Sequence, residues 1–179
     1  MGNLLWMCNI GNLLLAFGLF ANHRPLIRAS AIWTIPGLAI WGWYVMRGAN
    51  LSSTMAHVGG IIVGLIALRK VGMDRLTWLY AFVWYLFMQL AARLTTDPAL
   101  NVNVAHHVQT GWESAFPSFL MFWLVMTVLV AALLWTIGRV LQRYWPADAI
   151  RREQRAIEVN DPGPLPADSE PQSASARRS

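Results

Sequence analysis

Phe116 to Arg143 reads FPSFLMFWLVMTVLVAALLWTIGRVLQR. From Phe116 to Gly138 it carries no charged residue, and at about 1.5 Å per residue it is long enough to cross a hydrocarbon layer about 30 Å thick. Arg139 and Arg143 then end it abruptly. Four further apolar stretches have the same build: Leu4 to Ala21, Ala29 to Met46, Met55 to Leu68 and Leu76 to Ala92. The expected fold is therefore an all-α, polytopic transmembrane helix bundle of about five spans. The 179 residues are 56% hydrophobic and 13% charged, with ten Trp, too few charges to cover an ordinary soluble surface. Residues 1–145 read as the transmembrane domain and 146–179 as a basic tail.

The cations orient the bundle. Twelve of the fourteen Lys and Arg residues fall at one set of ends, including Arg24, Arg28, Arg69, Lys70, Arg75, Arg139 and Arg143, while only Arg47 and Arg93 fall at the other. Positive-inside places the C-terminus in the cytoplasm and the N-terminus outside, in an inner membrane. The formal net charge of +5 lies beside the apolar spans, so membrane lipids, not nucleic acid, are the expected partners. The segment Ala147 to Val159, with Arg151, Arg152 and Arg155, reads as a short helix on the inner leaflet. Asn160 to Ser179 is too polar to bury a core and is expected to be disordered.

Polar residues within the spans carry the functional reading, because each is costly in a membrane unless satisfied. Cys8, Asn9 and Asn12 lie on the first stretch, His57 starts the third, and Gln89 and Arg93 end the fourth. With the orientation above, all six occupy the outer half of the bilayer, Cys8 about 6 Å and His57 about 3 Å below its boundary. The connection from Leu94 to Ala115 is long, and its Asn101, Asn103, His106 and His107 are expected to roof a pocket lined by Cys8, Asn12, His57, Gln89 and Arg93.

That pocket supports two readings. In one, Cys8 is a nucleophile activated by His57, with Asn12, Gln89, Arg93, Asn101, Asn103 and His106 contacting substrate. In the other, Cys8 is a small packing residue, and Gly60 and Gly64 of the Gly60-Ile61-Ile62-Val63-Gly64 run form a face for another membrane protein. One cysteine excludes a disulfide framework, and the histidines lack metal-ligand spacing, so no metal and no cofactor are expected.

Ala56-His57-Val58-Gly59-Gly60 resembles the catalytic-histidine helix of rhomboid proteases, although residues 1–56 hold no GxSG serine. A broader likeness rests on Met7-Cys8-Asn9-Ile10, Trp33-Thr34-Ile35-Pro36-Gly37, the start of the His57 helix and Asn101-Val102-Asn103-Val104. These resemble a bacterial family of small multi-pass membrane proteins of unknown function. More remotely, they are similar to the androgen-induced intramembrane hydrolases and a related lipid acyltransferase. That resemblance implies a Cys8 nucleophile and a His57 base acting on a lipid ester or acyl group.

Overall fold

The computed structural model describes residues 6–45 and 51–160, and all statements of structure refer to these. Arg47 and residues 161–179, on which part of the charge argument and the disordered-tail expectation rest, lie outside them. Among the described residues the regular elements are all helices, joined by irregular connections. Its elements are α1 (Met7–Phe20), α2 (Arg24–Val45), α3 (Leu51–Val71), α4 (Thr77–Thr95), two 3₁₀ turns (Pro98–Leu100 and Val102–Val104), α5 (Phe119–Tyr144) and α6 (Ala147–Asn160). The apolar stretches become α1 to α5. Helix α2 starts five residues before its apolar stretch, because the His23 ring Nδ1 accepts the Leu26 N–H and caps it.

Two helices, α3 from Thr54 to Val71 and α5, are long and apolar enough to cross a membrane. Helix α1 is apolar but has 14 residues. Large apolar side chains face outward on several helices: Phe17 on α1, Ile62 on α3, Phe87 on α4 and Val128 on α5 are each more than half exposed. The core holds a smaller set around α2, including Ile32, Trp33, Leu68, Ala81, Tyr85 and Leu134. Helix α2 packs on α1, α3, α4 and α5 and is the centre of the bundle.

Small residues let these helices close. The Asn12 side chain of α1 lies directly over Gly60 of α3, and its Nδ2 donates to the Ala56 carbonyl at 3.0 Å. Gly64 faces Ala31 and Thr34 of α2. The Gly60/Gly64 face expected to receive another protein is thus filled by α1 and α2 of the same chain. The reason is steric: a side chain at Gly60 would occupy the place of the Asn12 amide.

At the other end of the bundle, Arg28 is a buried clasp. Its guanidinium donates to the carbonyls of Gly72 and Val71 and to Asp74 Oδ2, each at 2.7 Å. Asp74 Oδ1 in turn accepts from the Leu76 N–H at 3.0 Å and the Thr77 hydroxyl at 2.9 Å, closing the start of α4. One arginine therefore satisfies carbonyls left open at the end of α3 and fixes the turn into α4.

Candidate functional site

The site begins with an unmet donor. Trp6, the residue preceding α1, makes no side-chain capping bond, and the Met7 N–H is instead accepted by Asn103 Oδ1 at 3.0 Å, from a loop 96 residues away. The Asn103 carbonyl accepts from Gln89 Nε2 at 2.6 Å, and the same nitrogen donates to the Tyr85 hydroxyl at 3.2 Å. This chain of bonds ties the loop after α4 to the first turn of α1. Asn101, Asn103 and Val104 all have positive φ, at 41°, 54° and 58°. Asparagine tolerates that conformation; a β-branched valine rarely does, so Val104 is strained backbone held by its surroundings.

Beneath this loop lies a cavity of about 220 Å³ to which every one of α1 to α5 contributes. Cys8 comes from α1, Pro36 and Gly37 from α2, His57 from α3, Tyr85 and Gln89 from α4, and Phe122, Trp123 and Met126 from α5, with Asn103 and Val104 from the loop. Among the described residues, no Asp, Glu, Lys or Arg lines it. At this volume, below the roughly 300–1,000 Å³ of drug-sized sites, it admits a chain end or a reacting group and not a whole lipid.

Gly37 lies next to both Cys8 and His57. A Cβ placed on it would lie 3.5 Å from Cys8 Cβ and 3.8 Å from His57 Cδ2, so those two atoms are no farther apart than the sum of these distances. The His57 ring is stacked on Trp41, with centroids 6.2 Å apart and planes inclined by 21°. The Cys8 thiol contacts Asn9 Oδ1 at 4.0 Å. Cys8 is the second residue of α1, in the first turn at the positive end of the helix.

Four expected site residues, Cys8, His57, Gln89 and Asn103, line the cavity together. The other four do structural work outside its lining. Asn12 joins α1 to α3. Arg93 donates to the Ala105 carbonyl at 2.8 Å and lies 5.0 Å over the Phe119 ring. Asn101 Oδ1 accepts the N–H groups of His106 and His107 at 3.1 and 3.2 Å, and the His106 ring pairs with the Thr96 hydroxyl at 3.1 Å. Among the described residues, no three His, Cys, Asp or Glu side chains are grouped to hold a metal ion.

Two residues of the site were not singled out from sequence. Gly37 stands in the sequence reading only within the Trp33-Thr34-Ile35-Pro36-Gly37 stretch and Tyr85 has no place in it; the i, i+4 spacing of Tyr85 from Gln89 was the available signal. Both hydrogens of Gln89 Nε2 are committed, so that amide does not serve a developing oxyanion. The Tyr85 hydroxyl, on the cavity wall, accepts from Gln89 and lies beside the Thr127 hydroxyl.

The space at Gly37 makes a two-sided prediction. Gly37→Ala meets only ordinary van der Waals contacts and should stabilise the chain by about 0.5–1 kcal/mol through helix propensity. Gly37→Leu should cost about 1–3 kcal/mol through overpacking and close the gap between Cys8 and His57. Unfolding in mixed micelles, followed by circular dichroism, checks both signs; a destabilised alanine variant would contradict the geometry.

In comparison with known proteins, no family model, no curated protein and no solved structure matches the chain.

Proposed function

We propose that this chain is a five-span membrane protein of the inner membrane, N-terminus outside and C-terminus cytoplasmic, whose outer-half cavity transfers or hydrolyses a lipid acyl group. Support for five spans comes from the belt of outward apolar side chains, which extends over α1 and α4 as well as α3 and α5. Helix α4 is rich in Trp and Tyr and carries Gln89 and Arg93, which lowers its mean hydropathy without removing that belt.

The observation that carries the chemistry is the placement of Cys8 and His57 beside Gly37 in one cavity, with no charged side chain among the described residues that line it. His57 accepts the Cys8 proton, the sulfur attacks the ester carbonyl, and the C–O bond breaks as the alcohol leaves with that proton. The resulting thioester is then cleaved by water or by an acceptor hydroxyl. The Tyr85 O–H, on the wall of the cavity, supports the oxyanion formed in between. The remote likeness to intramembrane hydrolases and a lipid acyltransferase points the same way, with Cys8 and His57 at the matching positions.

The test is labelling of the purified protein in micelles by a thiol-reactive probe with an alkyl chain. Labelling should be lost in Cys8→Ala, fall in His57→Ala, and fall about 10²–10³-fold less in a soluble reagent's reaction with the same thiol, since only the chain-bearing probe fills the cavity. A second reading, a non-catalytic lipid-binding subunit, is favoured by the apolar, uncharged lining alone. It is identified by lipid binding that survives Cys8→Ala together with labelling that ignores His57.

A further inference from the structure

We propose that a groove at the opposite end of the bundle binds the phosphate of an anionic phospholipid. Three elements build it: Arg75 from the α3–α4 connection, Arg139, Gln142 and Arg143 from the end of α5, and Asp148 and Arg152 from α6. Its volume is about 590 Å³. Arg139 and Arg143 are spaced i, i+4 and project from one face of the last turns of α5.

Backbone contacts hold these elements in register. The Met73 N–H donates to the Trp145 carbonyl at 2.6 Å, and the Ala147 N–H donates to the Met73 carbonyl at 3.1 Å, so the turn into α4 is bridged to the turn into α6. Gly72, at φ +63°, makes this approach possible: a Cβ there would stand 2.5 Å from Ala147 Cα. Arg152 of α6 is thereby brought into one groove with the end of α5.

Charge then specifies the ligand. Among the described residues the ion pairs are Arg28–Asp74 and Arg151–Asp148, so none of the four groove arginines is paired with a carboxylate. Asp148, the one acid in the groove, is engaged by Arg151 at 3.1 Å. Among the described residues four like charges converge against the single carboxylate of Asp148, and a phosphate accepts several guanidinium N–H groups at once. Arg139 is held 5.5 Å over the Trp135 ring, which orients it.

A lipid is favoured over a soluble phosphate by what adjoins the groove. Val140 lines it and is 48% exposed, and Trp135 beside it is 46% exposed, so the apolar belt runs up to the arginines. A ligand with a charged head and apolar chains meets both surfaces. This inference rests on the membrane-spanning reading but not on the Cys8/His57 chemistry, because the groove and the cavity lie at opposite ends of α4 and α5.

The experiment uses the full chain carrying Cys8→Ala, in phosphatidylcholine nanodiscs, with energy transfer from its tryptophans to a dansyl-tailed phosphatidic acid. Unlabelled phosphatidic acid should displace the reporter, and added phosphatidylcholine should not. Arg139→Gln with Arg143→Gln should weaken binding about 25-fold, roughly five-fold per basic residue at a membrane surface. Arg69→Gln, a cation at the same end but outside the groove, should change it less than about two-fold. An equal loss in Arg69→Gln would show diffuse surface attraction and overturn the site. Displacement by inorganic phosphate as effective as by the lipid would show a soluble-anion site and overturn the lipid assignment.

Discussion

Replacing Arg28 with methionine is expected to cost about 3 kcal/mol of folding stability, the lower end of the range of about 3–5 kcal/mol for breaking a buried ion pair by removing one partner. The side chain of Arg28 is 8% exposed and that of Asp74 is 33% exposed. Partial solvation of Asp74 limits the penalty for its stranded charge, which is why the lower end applies. The rest of the loss comes from two carbonyls, of Val71 and Gly72, that lose their donor at the end of α3. Arg28→Lys should recover only part of the stability, because one ammonium cannot reproduce a planar fork aimed at three acceptors. Asp74→Asn should cost less than Arg28→Met, since an amide oxygen still accepts from Leu76 and Thr77. Denaturant unfolding in mixed micelles measures all three variants. A loss below about 1 kcal/mol in Arg28→Met would show that the clasp does not hold α3 to α4.

The helices were legible because a membrane-type sequence announces them: long apolar runs ended by cations admit few other structures. The gathering of Cys8, His57 and Gln89 at one end also followed from the direction of each run. What could not be read was anything created by contact between distant segments. Asn103 caps a helix 96 residues away, and no local spacing marks it for that role. Arg28 entered the charge count as a solvent-facing cation, yet its position just inside α2, opposite the end of α3, makes it a buried ligand of carbonyls. Gly60 and Gly64 were correctly marked as sites of close approach, but which helix would approach was undetermined, since any backbone can use such a groove. Arg93, Asn101 and His106 looked like site residues because they are polar and near the cavity. None of the three lines the cavity: Arg93 and Asn101 bond backbone groups of the loop, and the His106 ring pairs with the Thr96 hydroxyl.

His57→Ala is expected to slow turnover of a lipid ester, or labelling by the chain-bearing probe, by about 10²–10⁴-fold, the contribution of a positioned general base. The argument is geometric. Cys8 and His57 flank one glycine, the imidazole is stacked on Trp41, and none of the described residues lining the cavity carries a charge that would compete for the proton. An alanine at 57 removes the base while leaving the thiol, the cavity walls and the Tyr85 donor in place. His57→Gln is the decisive companion, because it keeps a polar side chain of similar reach but provides no basic nitrogen. If His57 accepts the proton, glutamine should be nearly as impaired as alanine; if His57 only packs, glutamine should restore most of the rate. Binding of an unreactive alkyl analogue, followed by quenching of Trp6, Trp33 and Trp123 around the cavity, should change less than about three-fold in either variant, because the chain is held by apolar walls that neither substitution removes. A rate that falls only in step with that binding would assign His57 to the wall of the cavity and leave Cys8 without its base.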